Sequence, residues 1–125
     1  MAGNLKILLV DDNPMVLGML RHELAELAPV TTATNGIDAI AAAVEQTPDL
    51  IISDYNMPEM DGLGLLRAVR GHPVARKIPF ILLTGRGDRE LVVKAAQAGA
   101  NNYLIKPFTA DVLRQKIEQV MGKLS

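Results

Sequence analysis

Five short segments rich in aliphatic and β-branched residues alternate along the chain with segments of helical periodicity. This alternation is typical of repeated β-α units, in which each strand is followed by a helix that packs back onto the sheet. A chain with this rhythm is expected to form an α/β domain. The predicted strands are Lys6–Val10, Val30–Ala33, Leu50–Ser53, Phe80–Thr84 and Asn102–Ile105.

Three of the predicted strands are apolar on both faces. The runs KILLV, LIIS and FILLT lack a strict alternation of polar and apolar residues, as expected for central strands that are covered by helices on each side. Crossovers between parallel strands are right-handed, and the order 2-1-3-4-5 is a common arrangement of five such units. We therefore predict a flavodoxin-like (βα)5 fold with a doubly wound parallel sheet.

Capping residues and apolar stripes delimit five predicted helices. The first begins after the Asn13-Pro14 cap, and its stripe continues through Leu27 until Ala28-Pro29 ends it. The other four are expected at about 36–46, 62–70, 88–99 and 109–121. The second of these five helices has an apolar stripe that consists of Ile37, Ile40 and Val44.

The composition indicates one compact domain over residues 1–125. Hydrophobic residues make up 49% of the chain, which is sufficient for a buried core. The formal charge of −1 leaves no broad basic face for nucleic acid or an anionic membrane. The absence of cysteine excludes disulfides and thiolate metal sites, and no apolar run is long enough for a signal peptide or a membrane span. We expect a soluble, cytoplasmic protein.

Polar residues mark the ends of four predicted strands. Asp11-Asp12 follow the first strand, Asp54 follows the third, Thr84 ends the fourth and Lys106 follows the fifth. The carboxyl ends of parallel strands meet at one edge of the sheet, so three carboxylates should gather there. Their mutual repulsion would be severe without a cation, and an all-oxygen ligand set suits Mg²⁺, with calcium and manganese as chemical alternatives.

Thr84 and Lys106 complement this carboxylate cluster. A lysine supplies a compact positive charge and a threonine supplies a hydroxyl donor, which together suit the oxygens of a phosphoryl group on a carboxylate. Taken singly, aspartates after a strand commonly form turns or helix caps, and a Lys-Pro pair is usually part of a loop. The combination of residues, and no single one of them, indicates phosphoryl transfer to an aspartate.

The chain resembles the receiver domains of bacterial response regulators, the CheY-like family, over nearly its whole length. The residues that carry the resemblance are Asp11-Asp12, the segment 54–62 (DYNMPEMDG), Thr84, Tyr103 and Lys106-Pro107.

This resemblance implies that Asp54 accepts a phosphoryl group from a histidine kinase or a histidine phosphotransfer protein. It implies that Mg²⁺ is held by Asp12, Asp54 and the backbone carbonyl of Asn56, with Asp11 acting largely through water. Lys106 is then the partner of the phosphoacceptor and of its phosphoryl group.

The resemblance further implies a signalling switch and not an enzyme, because a receiver promotes only its own phosphotransfer and dephosphorylation. Thr84 would move toward the phosphoryl group and Tyr103 would change rotamer. The surface formed by the fourth helix, fifth strand and fifth helix would bind a downstream protein. The family also suggests a cis peptide bond before Pro107, although the general preference of such bonds is trans.

The sequence leaves two alternative functions open and departs from the family pattern at two positions. A phosphohydrolase of the haloacid dehalogenase type also uses an aspartate nucleophile, although its nucleophile follows the first strand. A receiver-like module that no longer switches is the second alternative. Arg86 stands where an acidic residue is familiar, and Gly85 stands where a small residue with a Cβ atom is common. We hypothesise that Arg86 and Asn56 tune the lifetime of the phosphorylated state.

Overall fold

The computed structural model describes residues 5–85 and 89–122 of the chain. Its strands form one five-stranded sheet in the order β2-β1-β3-β4-β5, and every neighbouring pair is parallel. The predicted flavodoxin-like α/β fold is therefore confirmed. The elements in chain order are β1 (Ile7–Val10), α1 (Pro14–Leu24), β2 (Val30–Ala33), α2 (Gly36–Gln46), β3 (Leu50–Asp54), α3 (Gly62–Gly71), β4 (Phe80–Thr84), α4 (Arg89–Ala98), β5 (Asn102–Ile105) and α5 (Ala110–Met121).

Two apolar clusters, one on each face of the sheet, form the core. Residues of α2, α3 and α4 pack against one face, where Phe80 is the largest fully buried side chain. Residues of α1 and α5 pack against the other face. Every residue of β1, β3 and β4 is buried, which explains why these segments are apolar on both faces.

The first helix is shorter than its apolar stripe predicts. It ends at Leu24 and not near Ala28, because the backbone N–H groups of Leu27 and Ala28 both donate to the Leu24 carbonyl, at 2.9 and 3.2 Å, in a closing turn. Leu27 still packs against the α1–α5 side of the core. Leu27 continues the helical spacing only because the turn after α1 packs it against the core. The predicted end of α1 was therefore wrong.

The predicted stripe of α2 is also partly wrong. Ile37 is 67% exposed, whereas Ala39 and Ala43 form the fully buried contact of this helix. Small side chains on this face allow α2 to pack close to its neighbours. Ile40 and Val44 pack at the margin of the core, as the stripe predicted.

Other helix and strand boundaries agree with the predictions to within a residue or two. The third strand extends one residue further than predicted and includes Asp54. Helix α5 begins at Ala110, and the side chain of Thr109 accepts from the Val112 N–H as its cap. The predicted start of α4 at Asp88 lies outside the described residues. Among the described helices, none has the length and apolar character that crossing a membrane requires.

Arg70, at the end of α3, ties together loops on the amino-terminal side of β4 and β5. Its guanidinium donates to the carbonyl of Gly99 through both Nε and Nη2, at 3.1 and 2.9 Å, and to that of Ile78 at 2.6 Å. It also donates to Asn101 Oδ1 at 3.0 Å, an atom that accepts from the Phe80 N–H as well. This residue therefore holds the C-terminal end of α4 against the sheet.

Candidate functional site

The residues predicted for the site lie at the carboxyl edge of the sheet, where the backbone is held in register. Asp54 is the last residue of β3, and Thr84 is the last residue of β4. The hydrogen-bond pattern continues past the strands, since Asp11 N donates to Ala33 O at 3.1 Å and Lys106 N donates to Thr84 O at 2.8 Å. Rigid strand ends, and not mobile loops, therefore position these side chains.

Three carboxylates converge at this edge. One oxygen from each of Asp11, Asp12 and Asp54 lies within 4.8 Å of the others. Asp11 and Asp54 are buried, whereas Asp12 is exposed at the mouth of the site. The structure thus brings together the acidic cluster that the strand ends predicted.

Asp11 shows that this cluster suits a cation. Its Oδ1 accepts from the Asn13 N–H at 2.9 Å, but its Oδ2 is buried and has no hydrogen-bond partner. Burial raises the pKa of Asp11, and the charge of Asp54 adds to this effect, while the Asn13 N–H and Lys106 oppose it. A buried carboxylate oxygen without a partner, beside two further carboxylates, fits a hard divalent metal ion.

Lys106 provides a positive charge inside the same site. Its Nζ lies 2.5 Å from Asp54 Oδ1, with the aspartate side chain 7% exposed. The peptide bond between Lys106 and Pro107 is cis. Thr84 is also buried, at the end of β4, the strand that separates β3 from β5.

The loop between β3 and α3 forms the wall of the site. Asn56 is exposed there and lines an open, polar cavity together with Asp12 and Asp61. Asp61 also caps α3, because its Oδ1 accepts from the Gly64 N–H at 2.8 Å. The backbone carbonyl of Asn56 therefore lies in a segment that borders the acidic cluster.

Gly62 has a role that the sequence alone did not reveal. A Cβ atom at this position would collide with the backbone carbonyl of Asp54 and would lie 2.9 Å from the Cα of Tyr55. The Gly62 N–H also donates to the Tyr55 carbonyl at 2.8 Å. The first residue of α3 thus packs directly against the backbone of the phosphoacceptor candidate. A glycine at a helix start shortly after a strand-end aspartate is the only sequence signal for this contact.

Tyr103 lies apart from the carboxylate cluster, on the edge strand β5. Its side chain is half-buried and packs against the side of the core that α2, α3 and α4 cover. The Nζ atom of Lys116, in α5, lies 5.5 Å from the centre of its ring. Arg86, for which we hypothesised a role in the lifetime of the phosphorylated state, lies outside the described residues.

The fold and the site together define an α/β domain with an acidic pocket at the carboxyl edge of its parallel sheet. Residues 7–118 match the family model of the response regulator receiver domain, and the chain belongs to this family. This membership favours the receiver interpretation over that of a haloacid dehalogenase-like phosphohydrolase.

Curated relatives align with nearly the whole chain. A probable chemotaxis protein CheY from Rhizobium etli is 46% identical and aligns over 98% of this chain and 97% of its own length. The chemotaxis protein CheY of Pseudomonas aeruginosa is 37% identical over 97% of this chain and 99% of its own. The family resemblance seen in the sequence is thus confirmed.

Solved structures show the same fold. Vibrio cholerae chemotaxis protein CheY4 superimposes with a TM-score of 0.90 at 33% identity, covering 95% of this chain and all of that one. The receiver domain of a sensor histidine kinase from Pseudomonas aeruginosa gives a TM-score of 0.86 at 33% identity, covering 97% of this chain and all of that one. A magnesium ion is coordinated in the active-site cleft of that receiver domain.

Proposed function

We propose that this chain is a phosphorylation-dependent switch of a two-component system and that Asp54 is its phosphoacceptor. The phosphoryl donor is the phosphohistidine of a histidine kinase or of a histidine phosphotransfer protein. The observation that carries the proposal is the buried Asp54 carboxylate, which is paired with Lys106 and lies beside the carboxylates of Asp11 and Asp12.

The chemistry at Asp54 is a transfer between two nucleophiles. A carboxylate oxygen of Asp54 forms a bond to phosphorus as the phosphorus–nitrogen bond of the donor breaks, and the donor histidine retains the electron pair of that bond. The ammonium group of Lys106 offsets negative charge on Asp54 and on the phosphoryl oxygens, and Thr84 offers its hydroxyl to one of them.

The residues present fit a magnesium ion. Asp11, Asp12, Asp54 and the backbone carbonyl of Asn56 would hold it, and the receiver domain that coordinates magnesium in its cleft supports this assignment. Bound there, Mg²⁺ supplies positive charge that allows the carboxylates and the phosphoryl oxygens to approach one another. Oδ2 of Asp11, which is buried without a hydrogen-bond partner in the described part of the chain, would gain a partner from such a charge.

The output of the switch is a change at the surface formed by α4, β5 and α5. Thr84 lies in the site and Tyr103 lies on the strand next to it, so the pair can connect phosphorylation to this surface. A downstream protein binds there, and the kinase or phosphotransfer protein delivers the phosphoryl group at the carboxyl edge of the sheet. We place this exchange in the cytoplasm, without direct nucleic acid or membrane partners.

A comparison of donors and substrates tests the proposed function. Phosphoramidate, which has a phosphorus–nitrogen bond like phosphohistidine, is incubated with the protein and Mg²⁺, and phosphorylated protein is quantified on phosphate-affinity gels. We expect about one phosphoryl group per chain, none for Asp54→Ala, and an unchanged level for Asp49→Ala, whose carboxylate is exposed before β3. Repeated turnover of p-nitrophenyl phosphate that depends on Asp54 would instead indicate a phosphohydrolase.

A further inference from the structure

The ring of Tyr103 is held from two sides. One side packs against the apolar cluster beneath α2, α3 and α4. On α5, the ammonium nitrogen of Lys116 lies 5.5 Å from the ring centre. A cation at this distance from an aromatic face is attracted by the negative potential of the ring.

The position of Lys116 is set by the packing of α5 on the edge strand. Lys116 is half-buried, and the next residue of the helix, Ile117, is completely buried. Gln119, three residues further along α5, accepts a hydrogen bond at 2.9 Å from the side chain of Asn102, the neighbour of Tyr103 in β5. Two adjacent contacts therefore join the same face of α5 to consecutive residues of β5, so the helix presents the ammonium group to the ring.

The backbone beneath the ring is restrained as well. Oδ1 of Asn102 accepts from the Tyr103 N–H at 2.9 Å, while its amide nitrogen is engaged by Gln119. The freedom that remains to Tyr103 is thus the rotation of its side chain. Lys116 acts on that rotation, because its attraction to the ring is lost when the ring turns away.

We propose that Lys116 is a positioning residue that holds the Tyr103 ring in the rotamer seen here and thereby opposes the switch. The inference rests on the proposed function, and it takes the rotamer seen here, with Lys116 over the ring, as the resting one. A cation–π contact at a partly exposed site changes the ratio of two rotamers by about two- to fivefold. Phosphorylation, which favours the switched rotamer of Tyr103, is then slowed by the same factor. The reason is that only a fraction of the unphosphorylated molecules occupies that rotamer.

Tyrosine side-chain NMR tests this role directly. The chain contains two tyrosines, so ¹³C-labelled tyrosine gives two sets of ring signals, and Tyr55→Phe assigns them. Three-bond couplings of Tyr103 are measured in the unphosphorylated full chain for Lys116→Gln, Lys116→Arg and Lys77→Gln. Lys77→Gln is the matched control, because it removes the same charge from an exposed loop residue.

We expect Lys116→Gln to raise the population of other Tyr103 rotamers about two- to fivefold, and Lys116→Arg to preserve the parent ratio. The rate of phosphorylation by acetyl phosphate should rise by the same factor in Lys116→Gln. Couplings in Lys116→Gln that match those in Lys77→Gln would overturn the proposal, as would a rotamer change without a change in rate. Failure of the parent chain to become phosphorylated would refute the proposed function, while the couplings would still decide whether Lys116 positions the ring.

Discussion

Lys106 and Asp54 form an ion pair that reaches across an intervening strand. Nζ of Lys106 lies 2.5 Å from Oδ1 of Asp54, although β5 and β3 are separated by β4 in the sheet. The lysine side chain therefore passes over the end of β4, where Thr84 is buried. One pair thus links the ends of the three strands that carry the proposed phosphoacceptor, the hydroxyl donor and the cation.

Removal of this cation should destabilise the protein. In Lys106→Met the buried Asp54 carboxylate loses its partner, so we expect the free energy of unfolding in urea to fall by about 1–3 kcal/mol. Lys94→Met is the matched control, because Lys94 pairs with Glu90 on an exposed face of α4 at 3.1 Å and should contribute less than about 0.5 kcal/mol. Equal losses in the two variants would contradict the importance of the buried pair.

Asp11→Asn should stabilise the protein at neutral pH when metal is removed with EDTA. The carboxylate is buried, one of its oxygens lacks a partner, and burial raises its pKa. The charged form is therefore penalised in the folded state, and its replacement should add about 1–3 kcal/mol to the free energy of unfolding at pH 7.

The stabilisation by Asp11→Asn should depend on pH in one direction. Above the folded-state pKa of Asp11, the aspartate is charged in both folded and unfolded chains, so its burial cost is fully present. Below about pH 4 the carboxyl group becomes neutral in both states and the advantage of Asn should disappear. Thermal denaturation at several pH values measures this, and an advantage that grows toward low pH would contradict the account. Added Mg²⁺ should stabilise the parent more than the variant.

Gly62→Ala should disrupt the wall of the site. The added Cβ meets the Asp54 carbonyl, which is backbone and cannot rotate away, so we expect a loss of about 1–3 kcal/mol and slower phosphorylation. Gly18→Ala is an internal comparison, because Gly18 lies within α1 with open space around its would-be Cβ. That variant should gain about 0.5–1 kcal/mol from helix propensity alone. A tolerated Gly62→Ala would show that α3 does not pack against the phosphoacceptor backbone.

Arg70→Lys should behave much like Arg70→Ala. The guanidinium donates to the carbonyls of Gly99, Ile78 and Arg76, and one ammonium group cannot satisfy this planar arrangement. We expect each variant to lose about 2–4 kcal/mol, since several hydrogen bonds to partly buried carbonyls are broken. Hydrogen exchange should become faster at the end of α4, near Ala98. If Arg70→Lys were as stable as the parent protein, the positive charge of residue 70 alone would account for its stabilising effect, and the geometry of the guanidinium would not matter.

The sequence predicted the fold and the site well where one pattern recurs, namely an apolar strand that ends in a polar residue. Central strands covered on both faces must be apolar throughout, so β1, β3 and β4 could be recognised. Polar residues at the ends of such strands stand out against that background, which made Asp54 and Lys106 visible as parts of one site. The topology then placed them at the same edge of the sheet.

Other features depend on distances that only the folded chain defines. The end of α1 was misjudged because Leu27 packs on the core from a turn, and helical spacing alone does not distinguish a turn from a longer helix. The inner face of α2 was misjudged because close packing favours Ala43 over Ile37. Arg70 and Lys116 could not be singled out in the sequence, because arginine and lysine are common on protein surfaces and the groups that these two residues contact lie on other elements.

Intact-mass spectrometry after incubation with acetyl phosphate and Mg²⁺ shows whether Asp54 accepts a phosphoryl group. We expect one added phosphoryl group per chain, mapped to Asp54 by peptide analysis after borohydride reduction and absent from Asp54→Ala. No added phosphoryl group with acetyl phosphate or phosphoramidate, or a group that persists in Asp54→Ala, would contradict the proposed role of Asp54.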